Sequence, residues 1–154
     1  MFKGINIHET KQITLKSDPD PANPTVFHIG ALDQIISGYI EDQSTVIDFV
    51  PLEVADRGVT EAEKKAGQAV QLRIQHGRRN MLMIKFGVRK IENYFDPAED
   101  KAMTVEAKPV KIYDGEYLAL PDGVIRGMQL REGITELIKE IGKLNGLTED
   151  EAKN

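Results

Sequence analysis

Apolar and polar positions change period several times along this chain, and each change marks a candidate element. Ile5 and Ile7, then Ile13 and Leu15, alternate with polar neighbours as short strands do. The run Ser17-Asp18-Pro19-Asp20-Pro21-Ala22-Asn23-Pro24 then breaks the pattern. Proline fixes its own φ and pushes the preceding residue towards extended conformations, so this run predicts a loop or strap. Thr25-Val26-Phe27-His28-Ile29 is β-prone and stops at Gly30. The pieces on either side of the proline run can pair as an antiparallel hairpin. Residues 1–24 read as an extended N-terminal arm, and residues 25–154 as a single α+β domain.

Within that domain the period lengthens. Asp33 is an N-cap for a helix over Gln34 to Ile40, with Ile35, Ile36, Tyr39 and Ile40 on one side. Val46 to Val50 is apolar and β-branched, and Pro51 limits it. Thr60-Glu61-Ala62-Glu63 has the capping-box pattern and predicts a helix that turns Ala66, Ala69, Val70 and Ile74 inward and ends near His76-Gly77. Asn80 to Phe95 fits two templates. Leu82, Ile84 and Phe86 alternate, whereas Met81, Ile84, Val88, Ile91 and Phe95 recur at helical spacing. The helical template is preferred, interrupted near Gly87.

The sharpest local signal is Tyr113-Asp114-Gly115-Glu116 between two β-rich runs, which suits a type I′ hairpin turn with positive φ at Asp114 and Gly115. Leu120-Pro121-Asp122-Gly123 predicts a second turn. A closing helix from Val124 or Met128 to Asn145 carries the stripe Leu130, Ile134, Leu137, Ile138, Ile141 and Leu144. Gly146 stands at its C′ position with Leu147 packing back, and Thr148 to Glu151 offers one more cap. The expected architecture is α+β: the N-terminal arm, β-hairpins packed with a few amphipathic helices, and a C-terminal helix.

Composition adds bounds. The 154 residues are 40% hydrophobic and 29% charged, which suits one domain with one core. No run approaches the ~18 to 20 apolar residues of a membrane span, and the N-terminus lacks the apolar stretch of a signal peptide. A soluble, unexported protein without a membrane partner is the expectation. The absence of cysteine excludes disulfides, thiolate metal ligands and thiol nucleophiles. The net charge of −5 argues against nucleic acid as a partner for the whole domain.

Candidate chemistry is sparse. His8, His28 and His76 are far apart and lack metal-ligand spacing. Ser37 lacks the first glycine of a nucleophile elbow, and neither phosphate-binding glycine motif is present. The acidic pairs Glu41-Asp42 and Glu99-Asp100 and the Glu149-Asp150-Glu151 run fall in polar loops or near helix ends, where acids are solvated or serve caps. The reading is a protein that is not an enzyme and needs no cofactor. One charge feature stands out: Arg73, Arg78 and Arg79 beside His76, followed by Lys85, Arg89 and Lys90. Such a patch is compatible with a solvated helix end, with an acidic neighbouring subunit, or with phosphates.

The C-terminal half resembles small tailed-bacteriophage virion and morphogenesis proteins. Ile84-Lys85-Phe86-Gly87-Val88 followed by Ile91-Glu92-Asn93-Tyr94-Phe95-Asp96 is similar to their FGL-x-x-W-E-N-F-x-D segment, with Ile91 in place of the tryptophan. Glu136-Leu137 through Ile141, then Leu144-Asn145-Gly146-Leu147-Thr148-Glu149-Asp150-Glu151, is similar to their C-terminal ending. Thr25 to Asp42 resembles their N-terminal half. The resemblance implies a virion structural protein, a minor capsid, decoration or head–tail joining component. The alternative is a tail assembly chaperone that binds a tape-measure protein. Its implied partners are capsid, portal or tail proteins in a symmetric multi-copy assembly, in the virion or in the host cytoplasm during assembly.

Overall fold

A computed structural model describes residues 1, 4–55, 57–128 and 130–146. It has an α+β fold. The strands are β1 (Thr10–Thr14), β2 (Val26–Gly30), β3 (Thr45–Pro51), β4 (Gln68–Ile74), β5 (Val88–Asp96), β6 (Lys101–Glu106), β7 (Lys108–Ile112) and β8 (Gly115–Ala119). The helices are α1 (Gln34–Ser44), α2 (Glu61–Ala66), α3 (His76–Gly87), α4 (Asp122–Gly127) and α5 (Gly133–Leu144). A four-stranded antiparallel sheet runs β1-β2-β5-β6, and two further hairpins, β3-β4 and β7-β8, are not hydrogen-bonded into it. The helix α3 packs against α1, α4 and α5, while α5 also touches β2. The core is formed by Phe27 and Ile29 of β2, Ile36 and Ile40 of α1, Ile84 and Phe86 of α3, and Leu137 and Ile141 of α5.

Local signals are realised where they are self-contained. The Asp33 carboxylate accepts from the Ile35 N–H at 2.8 Å and caps α1. Thr60 and Glu63 close a full capping box at the start of α2. The stripe on α5 is buried at Leu137, Ile138 and Ile141, and Gly146 adopts φ +76 at its end. Leu147 and the cap from Thr148 to Glu151 lie outside the described residues.

Several expectations are corrected. The helix from Thr60 ends at Gly67, whose φ of +75 terminates it, and Gln68–Ile74 is the strand β4. Of the side chains expected inward, Ala69 is buried, but Ala66, Val70 and Ile74 are exposed. After α3 ends at Gly87, the chain continues as the strand β5. Two bulges explain the misleading spacing. Against β2, Arg89 is an extra residue between Lys90 and Val88; against β6, the register shifts between Ile91 and Tyr94. The first bulge turns the two-residue period into three, so Val88 and Ile91 mimic helical spacing; Phe95, the next residue of the helical template, is exposed, and Tyr94 packs against the core instead. Asn93, with φ 58, sits in the second bulge and donates its amide to the Asn23 carbonyl at 2.7 Å.

The boundary of the arm also moves. The stretch Ile5 to Ile7 is not a strand; the Asn6 side chain accepts from the His8 N–H instead. Thr10–Thr14 pairs with β2 over its whole length, and Leu15 is in the core. In the β7–β8 hairpin, Ile112 pairs with Gly115, so Tyr113 and Asp114 are the central residues, and of these Tyr113 has positive φ. Gly115 has a different reason: a Cβ there would lie 2.8 Å from the Tyr117 hydroxyl. The closing helix is split into α4 and α5, the first beginning after Pro121.

Candidate interaction surface

The β3–β4 ribbon grows out of the helical layer without a linker. The helix α1 ends at Ser44, whose hydroxyl donates to the Ile40 carbonyl, and Thr45 is already extended. At the other side Gln75 N–H donates to the Ser44 carbonyl at 2.7 Å, and α3 begins at His76. The packed pair α1 and α3 thus holds the base of the ribbon.

Register then sorts the side chains. Thr45 lies opposite Ile74, Ile47 opposite Leu72 and Phe49 opposite Val70, so these residues share one face. That face is bare: Phe49 is 67% exposed, Leu72 69%, Ile47 63%, Ile74 43% and Val70 39%. The reverse face carries Val46, Asp48, Val50, Ala69, Gln71 and Arg73. There Ala69 is fully buried, and Asp48 is ion-paired with Arg73. A two-stranded ribbon is at best marginally stable alone, and an uncovered apolar face of this kind is a candidate contact surface.

The helix α2 anchors the ribbon through one carboxylate. Glu63 receives the Arg57 guanidinium at 2.7 and 2.9 Å and the Val70 N–H at 2.6 Å, while Arg57 also donates to the Val70 carbonyl. Both outward backbone groups of Val70 are therefore occupied, and the β4 edge is closed there to a further strand. The Arg57 hydrogen bond, then those of the Val70 and Thr60 backbones, hold the Glu63 carboxyl well below the usual carboxylate range. A depressed folded-state pKa stabilises above the ordinary glutamate value of 4.5 and loses that contribution as pH falls below it. Glu63→Gln should lower the melting temperature at pH 7 and have a smaller effect at pH 3. An equal loss at both pH values would place the anchor's strength in shape instead of charge.

The basic residues do not converge. Arg73 pairs with Asp48, and Arg78 donates to the Gln43 side chain at 3.2 Å, both near the ribbon base. Arg79 lines a shallow hollow with Ile5, Leu32 and Met83. Lys85 pairs with Asp122 at 2.6 Å, and Lys90 with Glu92 at 2.6 Å. Arg89 is half-buried and donates to the carbonyls of Phe86, Ala31 and Leu118, which ties three segments together. Burial pushes its guanidinium below the ordinary value, opposed by the charge of Asp33. The alternation of Val70, Leu72 and Ile74 with Gln71 and Arg73 is the sequence signal for the ribbon face, masked by the helix-start signal of the Thr60 capping box just before it.

A groove of about 500 Å³ lies between the proline strap and β5, lined by Leu15, Asp18, Phe27, Tyr94, Phe95 and Met128 among others. Its carboxylate, Asp18, accepts from the Asp20 and Thr25 backbone N–H groups and is a turn-former. Among the described residues no group of three His, Asp or Glu side chains is placed to hold a metal ion. None of the described helices is long and apolar enough to cross a membrane. Comparison with protein-family models, with curated proteins and with solved structures yields no match for this chain.

Proposed function

We propose that this chain is a structural protein of an assembled particle, of the tailed-phage virion kind that its sequence resembles, and that it works by protein–protein contact through the bare face of the β3–β4 ribbon. The observation that carries the reading is the alignment of Ile47, Phe49, Val70, Leu72 and Ile74 on one uncovered face. Interfaces concentrate binding energy in a central apolar and aromatic cluster with polar residues around it. Phe49 supplies the aromatic centre here, with Thr45 and Gln68 at the two ends. Minor capsid, decoration and head–tail joining roles all use such contacts.

The test is incorporation. Phe49→Ser with Leu72→Ser removes apolar surface that lies outside the core, so the isolated protein should keep a cooperative melting transition. Mass spectrometry of purified particles should then show at least a ten-fold drop in the variant's copy number. Unchanged incorporation overturns the reading. A parent chain found in assembly lysates but missing from finished particles would instead favour the tail assembly chaperone.

A further inference from the structure

We infer that the cover of the ribbon face is a second copy of this chain, packed face to face across a two-fold axis. The inference rests on the reading of that face as a contact surface and names its occupant. Three observations carry it.

The first is area. The five exposed side chains present roughly 500 Å² per copy, near the upper end of what a monomer leaves uncovered. Complete burial of two such faces would remove about 1,000 Å² from water, the size of a weak, reversible interface. A two-fold contact uses the same patch twice and so needs no second surface.

The second is charge. The chain carries a net charge of −5, so copies repel on most approaches. The ribbon is the exception: its acid Asp48 and its base Arg73 are ion-paired with each other on the reverse face. The apolar face has no ionisable side chain, with Thr45 and Pro51 at the ends of one strand and Gln68 and Ile74 at the ends of the other. Nothing on it asks for a complementary charge, and an identical apolar face satisfies it.

The third is the ribbon's edges, which are closed at two points. Arg57 and Glu63 occupy the outward groups of Val70, and Pro51 has no N–H to donate at the end of β3. Strand addition at either edge would also leave Ile47, Phe49 and Leu72 uncovered, because they point off the plane of the ribbon. Face packing is the arrangement that buries them.

Sedimentation equilibrium of the full chain, from low micromolar to a few hundred micromolar, should show a monomer–dimer equilibrium. Phe49→Ser with Leu72→Ser should weaken it by ~100-fold, with the melting transition retained. Because the chain has no cysteine, Ile47→Cys supplies a single reporter at the face and Arg73→Cys, at an exposed position, a control on the reverse side. Mild oxidation should link the first variant into a covalent dimer and leave the second monomeric. A monomer throughout the concentration range, or equal cross-linking of both variants, overturns the inference. A monomeric chain whose incorporation into particles still needs Phe49 and Leu72 overturns self-pairing and keeps the proposed function. A dimer whose disruption leaves incorporation unchanged does the reverse.

Discussion

Removal of residues 1–24 should abolish cooperative folding. The segment supplies β1, which pairs with β2 from Thr10↔Gly30 to Thr14↔Val26. Without it β2 becomes a bare edge whose unpaired N–H and C=O groups invite aggregation. Leu15 is 8% exposed, and its Cδ1 would lie 2.7 Å from a Cβ at Gly133, so it sits in a space left by that glycine. Burial of a leucine contributes ~1.5 to 3 kcal/mol, and Ile13 packs on the same core. Two further ties reach α5: Lys16 N–H donates to Glu136, and Lys11 pairs with Glu140 at 2.8 Å. Against a total of ~5 to 15 kcal/mol for a typical domain, losing the strand and both side chains is most of the margin. Circular dichroism of the truncated chain should show no sharp melting transition. A transition within a few degrees of the full chain would mean that the sheet tolerates the loss of its edge.

Gly87→Val should destabilise the fold strongly. A Cβ at this position would lie 2.7 Å from Ile141 Cδ1 and 2.9 Å from Cγ2. Ile141 is fully buried in α5, so it has nowhere to go. Overpacking of this kind costs about 1 to 3 kcal/mol, and a branched side chain belongs at the upper end. Helix propensity alone points the other way, since replacing glycine within a helix usually stabilises by up to ~1 kcal/mol. Gly77, in the same helix but with open space around its Cβ position, is the control and should accept Ala. Chemical denaturation can apportion the effect through a double-mutant cycle: Ile141→Ala should cost less in the Gly87→Val background than in the parent. Additive losses would show that the steric contact is not the cause.

The two predictions mark where a linear reading stops. Gly87 reads along the chain as a weak point in a helix, yet it is the place where α3 and α5 come close enough to need a residue without a side chain. Residues 1–24, rich in proline and short on apolar runs, read as an arm without its own core. One buried leucine and five paired residues place part of it in the sheet. The strand β5 was illegible for a related reason. Its bulges at Arg89 and between Ile91 and Tyr94 answer to β2 and β6, so their imprint on the apolar spacing has no meaning without those partners.

The candidate surface divides in the same way. That Val46 to Val50 is extended follows from its β-branched residues, and that Thr60 and Glu63 open a helix follows from bonds made within a few residues. The stripe on α5 follows from its period and needs only some core to receive it. These the sequence determined by itself. Whether Ile47, Phe49 and Leu72 lie in a core or in water was a tertiary decision. It depended on α1 and α3 holding the ribbon by its base, and on α2 engaging β4 through Glu63 and Arg57, which together leave the apolar face exposed among the described residues. Hydrophobic burial is non-directional, so an apolar strand face records that it needs a cover and not where in the fold that cover lies.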